Sequence, residues 1–397
     1  MDTTSFFREG LIDLRAFGTF IQSVAKYLFY IQKISRTFAN SMNRFEKYYP
    51  YKGEEFRHVM AALAEHPVAL SLFPELSPDE VRERFASYSD VDAFQADAMY
   101  RGCRYVVEHT MSRFTYSGTE YLDGTPSLFV SNHRDIVLDT MLLQYLLITI
   151  GRPTTHVVVG TNLFEMPLMA QLARVNKMFG IDRGGNRMEY YRSLMEMSSY
   201  LRHLVTERGE SAWIAQRNGR TKNGIDHTNS ALVHMIAATG EESDAVGALD
   251  AMHIVPLCIS YEWEPCGWQK AREVCLSSRG AYTKAPGEDT QSILSGMKDY
   301  KGHVHLTICR PIERRELETT GGNVDKVAAL IDCRIDEGRH VFDNNLIAKA
   351  MIAGDALPDN EATAAFKRYV DDACAQYPLG DDFRTTLLQI YANSAGK

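Results

Sequence analysis

Leu128-Phe129-Val130-Ser131-Asn132-His133-Arg134-Asp135-Ile136-Val137-Leu138-Asp139 runs from an apolar stretch into a segment with helical spacing. A strand that becomes a helix here sets His133 and Asp139 at the mouth of an α/β sheet, about one helical turn apart. A neutral imidazole takes a proton from a hydroxyl best when a carboxylate fixes its tautomer and stabilises the imidazolium. The step from His133 to Asp139 accommodates a bend followed by a turn of helix, and Asp135 is a competing carboxylate. Taken alone, a His beside an Asp is more often a surface or capping feature. The tripeptide His133-Arg134-Asp135 also imitates a protein-kinase catalytic loop. The rest of that signature is missing: Thr140 stands where Asn belongs, no glycine-rich phosphate loop precedes it, and no Asp-Phe-Gly follows.

Outward from this segment, strand and helix patterns alternate. Strands are expected at 127–131, 155–160, 211–216, 253–261 and 303–309, and helices at 136–150, 163–176, 188–207 and 228–239. The alternation argues for an α/β domain. Residues 50–120 read as helical, with a clear helix start at Ser77-Pro78-Asp79-Glu80. Leu122-Asp123-Gly124-Thr125-Pro126 reads as a turn. Beyond Pro311 apolar spacing predicts helices over 324–341, 343–353, 361–377 and 381–393. The expected organisation is an amphipathic N-terminal segment (1–49), a helical region (50–120), an α/β domain (121–311) and a C-terminal helical region (312–397).

Composition sets limits. Hydrophobic residues are 45% of the 397, enough for a sizeable core. A net charge of −8 argues against a general nucleic-acid binder. The 7 cysteines include no CxxC pair, which fits reduced thiols better than a disulfide framework. No secretory signal and no apolar stretch long enough to span a bilayer is found, so a soluble or peripheral protein is expected. In the N-terminal segment Phe17, Phe20, Ile21, Val24, Tyr27, Leu28 and Ile31 make one amphipathic stripe. Residues 1–50 hold 7 Lys/Arg against 4 Asp/Glu, a local +3 that suits an anionic lipid surface. Packing against the main domain or a second subunit is the other use of such a stripe.

Two further loops carry cations. Ile214-Ala215-Gln216-Arg217-Asn218-Gly219-Arg220-Thr221-Lys222-Asn223-Gly224 runs from an apolar strand into a loop with two Arg, one Lys and two Gly. Glycine lets backbone N–H groups approach an anion, and guanidinium forks suit phosphate oxygens. Phe179-Gly180-Ile181-Asp182-Arg183-Gly184-Gly185-Asn186-Arg187 is a candidate second arm on the same anion. His303 and His305 share one face of a strand, and two such residues without a third are more often structural than metal ligands. No metal site is expected.

The ordered set resembles the PlsC-like glycerol-phosphate and lysophospholipid acyltransferase superfamily, over roughly residues 120–310. Its Asn-His-x4-Asp block corresponds to Asn132-His133 through Asp139, and its single-Arg block to Gly180-Ile181-Asp182-Arg183. Its Glu-Gly-x-Arg block corresponds to Asn218-Gly219-Arg220-Thr221-Lys222. Its apolar strand with an internal proline corresponds to Ile254-Val255-Pro256-Leu257-Cys258-Ile259-Ser260. The wording His-Arg-Asp-Ile-Val-Leu-Asp, with Trp-Ile-Ala-Gln-Arg and Lys284-Ala285-Pro286-Gly287-Glu288-Asp289, is similar to a bacterial branch. Two departures stand out. The His-to-Asp gap is one residue longer than the family's, which leaves Asp139 and Asp135 both open as the orienting group. Asn218 replaces a Glu generally linked to acceptor binding.

The resemblance implies a central mixed sheet flanked by helices, with helical N-terminal and C-terminal regions. It implies acyl transfer from a thioester, acyl-CoA or acyl carrier protein, to a hydroxyl of glycerol 3-phosphate or a lysophospholipid. His133 would be the base, with Asp139 or Asp135 orienting it. Arg134, Arg183, Arg217, Asn218, Gly219, Arg220 and Lys222 would hold the substrate. No resident cofactor is implied. Peripheral contact with the inner face of the cytoplasmic membrane follows from a lipid acceptor, and acyl carrier protein is a candidate partner. Two alternatives remain: a non-catalytic lipid- or acyl-CoA-binding relative, and a thioester hydrolase using the same pair on water. No Gly-x-Ser-x-Gly elbow supports the commonest hydrolase route.

Overall fold

The computed structural model describes residues 44–160, 164, 167–181, 186–239, 245–280, 282–285 and 287–396. Residues up to Tyr49 form a unit apart from Pro50–Lys397, and within it Glu46–Tyr48 make one 3-10 turn. The amphipathic stripe at Phe17–Ile31 and the candidate Arg183 lie outside the described residues.

Pro50–Lys397 opens with helices α1 (Gly53–Ala64), α2 (Pro67–Leu72), α3 (Pro78–Ser87), α4 (Val91–Phe94) and α5 (Tyr100–Thr110). A π-turn, Gln95–Met99, joins the last two. The start of α3 is set locally. Ser77 Oγ accepts from Glu80 N, Glu80 Oε2 accepts from Ser77 N, and Pro78 takes the first helical position, where no N–H is needed. Phe56, Phe73, Phe85 and Phe94 fill the core that these helices enclose.

There follow β1 (Met111–Ser117), β2 (Leu128–Ser131), α6 (Leu138–Thr149), β3 (His156–Gly160), α7 (Pro167–Val175), β4 (Met178–Ile181), α8 (Arg187–Arg202), β5 (Ala212–Ala215), α9 (Ser230–Ala237) and α10 (Ala245–Asp250). Then come β6 (Ile254–Tyr261), α11 (Gly267–Ser278), α12 (Glu288–Lys298) and β7 (Gly302–Ile308). The seven strands form one sheet in the order β1-β7-β6-β2-β5-β3-β4. All neighbours are parallel except β6 and β7. The fold is therefore α/β with a mixed sheet. Every residue of β2 and β6 is buried, as expected of central strands covered on both faces. Helix α6 is apolar nearly all round, and Leu138, Leu142, Leu143 and Leu146 are fully buried. Each contributes on the order of 2 kcal/mol by leaving water.

Two strands depart from the sequence reading. Residues 111–117 were expected to be helical but form β1, an edge strand on β7, about 190 residues away in sequence. Its short alternation, Phe114 and Tyr116 between Arg113, Thr115 and Ser117, is half exposed and gives little local signal. The four residues of β4 are the opposite edge and were not anticipated.

The chain ends in α13 (Arg314–Thr320), α14 (Val324–Glu337), α15 (Asp343–Ala353), α16 (Glu361–Gln376) and α17 (Asp381–Asn393). The last three pack with α11 around Phe366, Val370, Phe383, Leu387 and Tyr391. This core adjoins the carboxyl ends of β2, β5 and β6, the end of an α/β sheet where ligands usually bind.

Candidate active site

Beyond Ser131 the chain leaves β2 and bends before α6. Asn132 fixes the bend: its Oδ1 accepts from Ile259 N at 2.8 Å and its Nδ2 donates to Ile259 O at 3.0 Å. His133 comes next, 3.0 Å from Asp139 through Nδ1. Asp139 lies in the first turn of α6 and is almost wholly buried, so each of its oxygens needs partners. Oδ2 also accepts from Arg134 N at 2.7 Å and Asp135 N at 2.9 Å; Oδ1 accepts from Tyr261 Oη at 2.9 Å. The longer His-to-Asp gap is thus absorbed by a loop whose own N–H groups point at the carboxylate. Burial, then the nearby Asp139 and Asp135, push the Tyr261 hydroxyl well above its ordinary value, so it stays a donor.

Asp135 faces away from His133. Its Oδ1 accepts from Val137 N and Leu138 N, both at 2.9 Å, and so caps α6. Its Oδ2 is buried without a hydrogen bond. Burial, reinforced by Asp139, raises its pKa. Of the two candidate orienting groups, only Asp139 meets the imidazole.

His133 lines a cavity of about 310 Å³. One wall is apolar, with Val158, Leu194, Met197, Trp213, Leu232 and Met235. Trp213 stands edge-on to the imidazole, ring centroids 6.2 Å apart. The lining also holds Arg217, Asn218, Gly219, Arg220 and Lys222 from the loop after β5. This loop is tied to the His133 segment by backbone: Gln216 N donates to Ser131 O at 2.8 Å, and Thr221 N to His133 O at 2.7 Å. Arg217 and Arg220 have no carboxylate partner among the described residues, whereas Lys222 is ion-paired with Glu273. A proton acceptor, an apolar slot and two guanidinium groups outside any ion pair among the described residues therefore share one space.

The comparisons with known proteins bear on this arrangement. The Acyltransferase family profile matches residues 113–260, from β1 through β6. Over that stretch the chain is similar to the Acyltransferase family. A crystal structure of the 1-acyl-sn-glycerophosphate (LPA) acyltransferase PlsC from Thermotoga maritima is similar over 68% of this chain and 86% of its own, at 13% identity and a TM-score of 0.37. No curated protein matches.

Within the matched stretch, one expected substrate residue is placed elsewhere. Arg134 is 4% exposed and turned away from the cavity. Its guanidinium donates to Glu264 Oε2 at 2.7 Å, to Asp226 Oδ2 at 3.2 Å and to Ser394 Oγ. Burial alone would lower its pKa, but Glu264 and Asp226 outweigh that and hold it charged. Its partners lie 92 to 260 residues away, so nothing local could have shown the role. Arg183 lies outside the described residues, and α8 begins just beyond, with Asn186 and Glu189 forming its capping box.

Sequence reading assigned no role to four further residues, Tyr261, Lys284, Asp289 and His340. Tyr261 lies one residue past the family match and holds Asp139. Lys284 and Asp289, quoted only for their resemblance, pair at 2.5 Å on the cavity rim. His303 and His305 gain His340 as a neighbour, with ring centroids 5.2 and 4.9 Å away. Both strand histidines bond Thr115, and His305 is pushed down to about 4 by burial. No group of described residues is arranged to hold a metal ion.

Proposed function

We propose that the chain is an O-acyltransferase that moves a fatty acyl group from acyl-CoA or acyl carrier protein to a hydroxyl of glycerol 3-phosphate or a lysophospholipid. The observation that carries this reading is the His133–Asp139 pair in the wall of a cavity with an apolar side and a cationic rim. With Asp139 accepting from Nδ1–H, Nε2 is the free base. It takes the proton of the acceptor hydroxyl as that oxygen attacks the thioester carbonyl. The C–S bond breaks, an ester forms, and the leaving thiolate recovers the proton from the imidazolium. Protons balance and no covalent enzyme intermediate is required. Arg217 and Arg220 hold the acceptor phosphate by charge-assisted hydrogen bonds, and the apolar wall takes the acyl chain.

The test is a labelled acyl-donor assay of wild type and His133→Ala against phosphorylated and neutral lysolipids. Ester formation by wild type and its loss in the variant support the reading. Full transfer by His133→Ala overturns it, as does release of free fatty acid with no ester product.

A lipid acceptor also makes this a peripheral membrane protein of the cytoplasmic face. No described helix is long and apolar enough to cross a membrane. The local +3 charge and amphipathic stripe of the N-terminal segment support contact with anionic lipid. Removing residues 1–45 should shift the protein from the membrane to the soluble fraction; unchanged partitioning counts against that contact.

A further inference from the structure

The domain match stops at residue 260, yet the fastening of the loops bearing His133 and Arg220 also draws on residues beyond it. Asp226 is the knot. Its side chain is 1% exposed, and its Oδ1 accepts from Thr221 Oγ1 at 2.9 Å. Its Oδ2 accepts from Asn132 Nδ2, Arg134 Nη1 and Arg339 Nη1, each at 3.2 Å. Burial would raise this carboxyl, but Arg134 and Arg339 outweigh burial and hold it ionised. One carboxylate thus ties the residues on either side of His133 to the anion loop.

The C-terminal region supplies the other half. Arg339, just after α14, also reaches Ser394 O and Asp336. Ser394, just after α17, accepts from Arg134. Asn393 Nδ2 donates to Asn223 O at 2.8 Å. Gly224 lies flat against the same helix end: at φ +77°, a Cβ there would sit 2.1 Å from Ile390 O. The anion loop is therefore moulded onto the last turn of α17.

We propose that the C-terminal helical region sets the working separation of the His133 loop and the Arg217–Lys222 loop, with Arg339 and Asp226 as positioning residues for acyl transfer. This rests on His133 and the two arginines acting as assigned above. A network kept only for stability predicts something different. Buried ion pairs add little net stability, and removing one partner mainly costs folding energy. A positioning network predicts that the two loops lose alignment while the fold persists, and a shift of about 1 Å costs roughly 100-fold in rate.

The experiment uses the full chain with Arg339→Met and Arg339→Lys. Steady-state kinetics with lysophosphatidate and a labelled acyl donor are run well below the unfolding midpoint of each variant. Arg339→Met should lower kcat and raise KM for the phosphorylated acceptor, each by about 10-fold, with the donor KM unchanged. Arg339→Lys, which still meets Asp226 but loses the second guanidinium arm on Asp336, should recover part of both. Lysophosphatidate binding is titrated in parallel, so a weakened affinity in Arg339→Met is read even without turnover. Kinetics and binding that stay within about twofold of wild type while the fold is retained overturn the proposal. So does a loss that tracks only the unfolding midpoint. Failure of the acyltransferase reading is separate: it shows as full transfer by His133→Ala.

Discussion

The sheet carries a histidine–carboxylate pair at each end. His133 meets Asp139 at the carboxyl ends of the strands; His156, at the start of β3, meets Glu210 through Nε2 at 2.8 Å. The cavity beside His156 is the larger of the two, about 770 Å³ against 310 Å³. Size is therefore not what makes a site. The difference lies in which member of the pair is dry. Asp139 is buried and held by four donors while the imidazole faces the cavity. At the other end His156 is the buried member, held below its ordinary pKa by burial, and Glu210 is the one that reaches water. A base must present its free nitrogen to a substrate, and only the first arrangement does so.

The largest expected effect tests this contrast directly. His133→Ala should cut acyl transfer by on the order of 1,000-fold or more, while His156→Phe leaves kcat within about twofold. Comparable losses in both would erase the distinction between the two ends. Next, Arg220→Gln should raise KM for phosphorylated acceptors roughly 10- to 100-fold and leave neutral acceptors little changed. Equal effects on the two classes would remove Arg220 from phosphate recognition. A smaller change is expected of Tyr261→Phe, which deletes one hydrogen bond to Asp139. A drop in kcat of about 5- to 10-fold corresponds to that bond's worth of roughly 1 kcal/mol.

The smallest effect concerns stability against pH. Burial raises Glu210, but hydrogen bonds from His156 and Arg208 outweigh it and hold the carboxyl at about 2. A carboxyl with a depressed folded-state pKa stabilises the fold above its unfolded value, near 4.3, and loses that contribution as pH falls toward 2. Because Glu210 is partly exposed, screening limits the contribution to about 1 kcal/mol. Wild type should exceed Glu210→Gln by that amount in denaturant unfolding near neutral pH, and the gap should close in acid. A gap that persists in acid would place its origin elsewhere.

What could be read from sequence was what is local. The β2-to-α6 passage, with His133 and Asp139, spans only a few residues and carries its own pattern of apolar run, polar bend and helix. The predicted helices over 343–353 and 381–393 match α15 and α17 residue for residue. Arg134 looks available in the sequence because nothing local shows that Glu264, Asp226 and Ser394 surround it. Asp135 was left open because spacing does not say which way a side chain turns; its bonds to Val137 N and Leu138 N do. Edge strand β1 escaped notice for the same reason, since its partner is assigned only when the chain folds back.

Tyr261 follows the last residue of the family match, and Glu264 and Lys270 lie just beyond it. A fragment cut at that boundary would leave Asp139 short of one donor and Arg134 without its closest carboxylate. The recognisable domain is thus not a portable part. Grafting it, or trimming the chain to it, would disturb the surroundings of Asp139 and Arg134, which a sequence alignment places well inside the fragment.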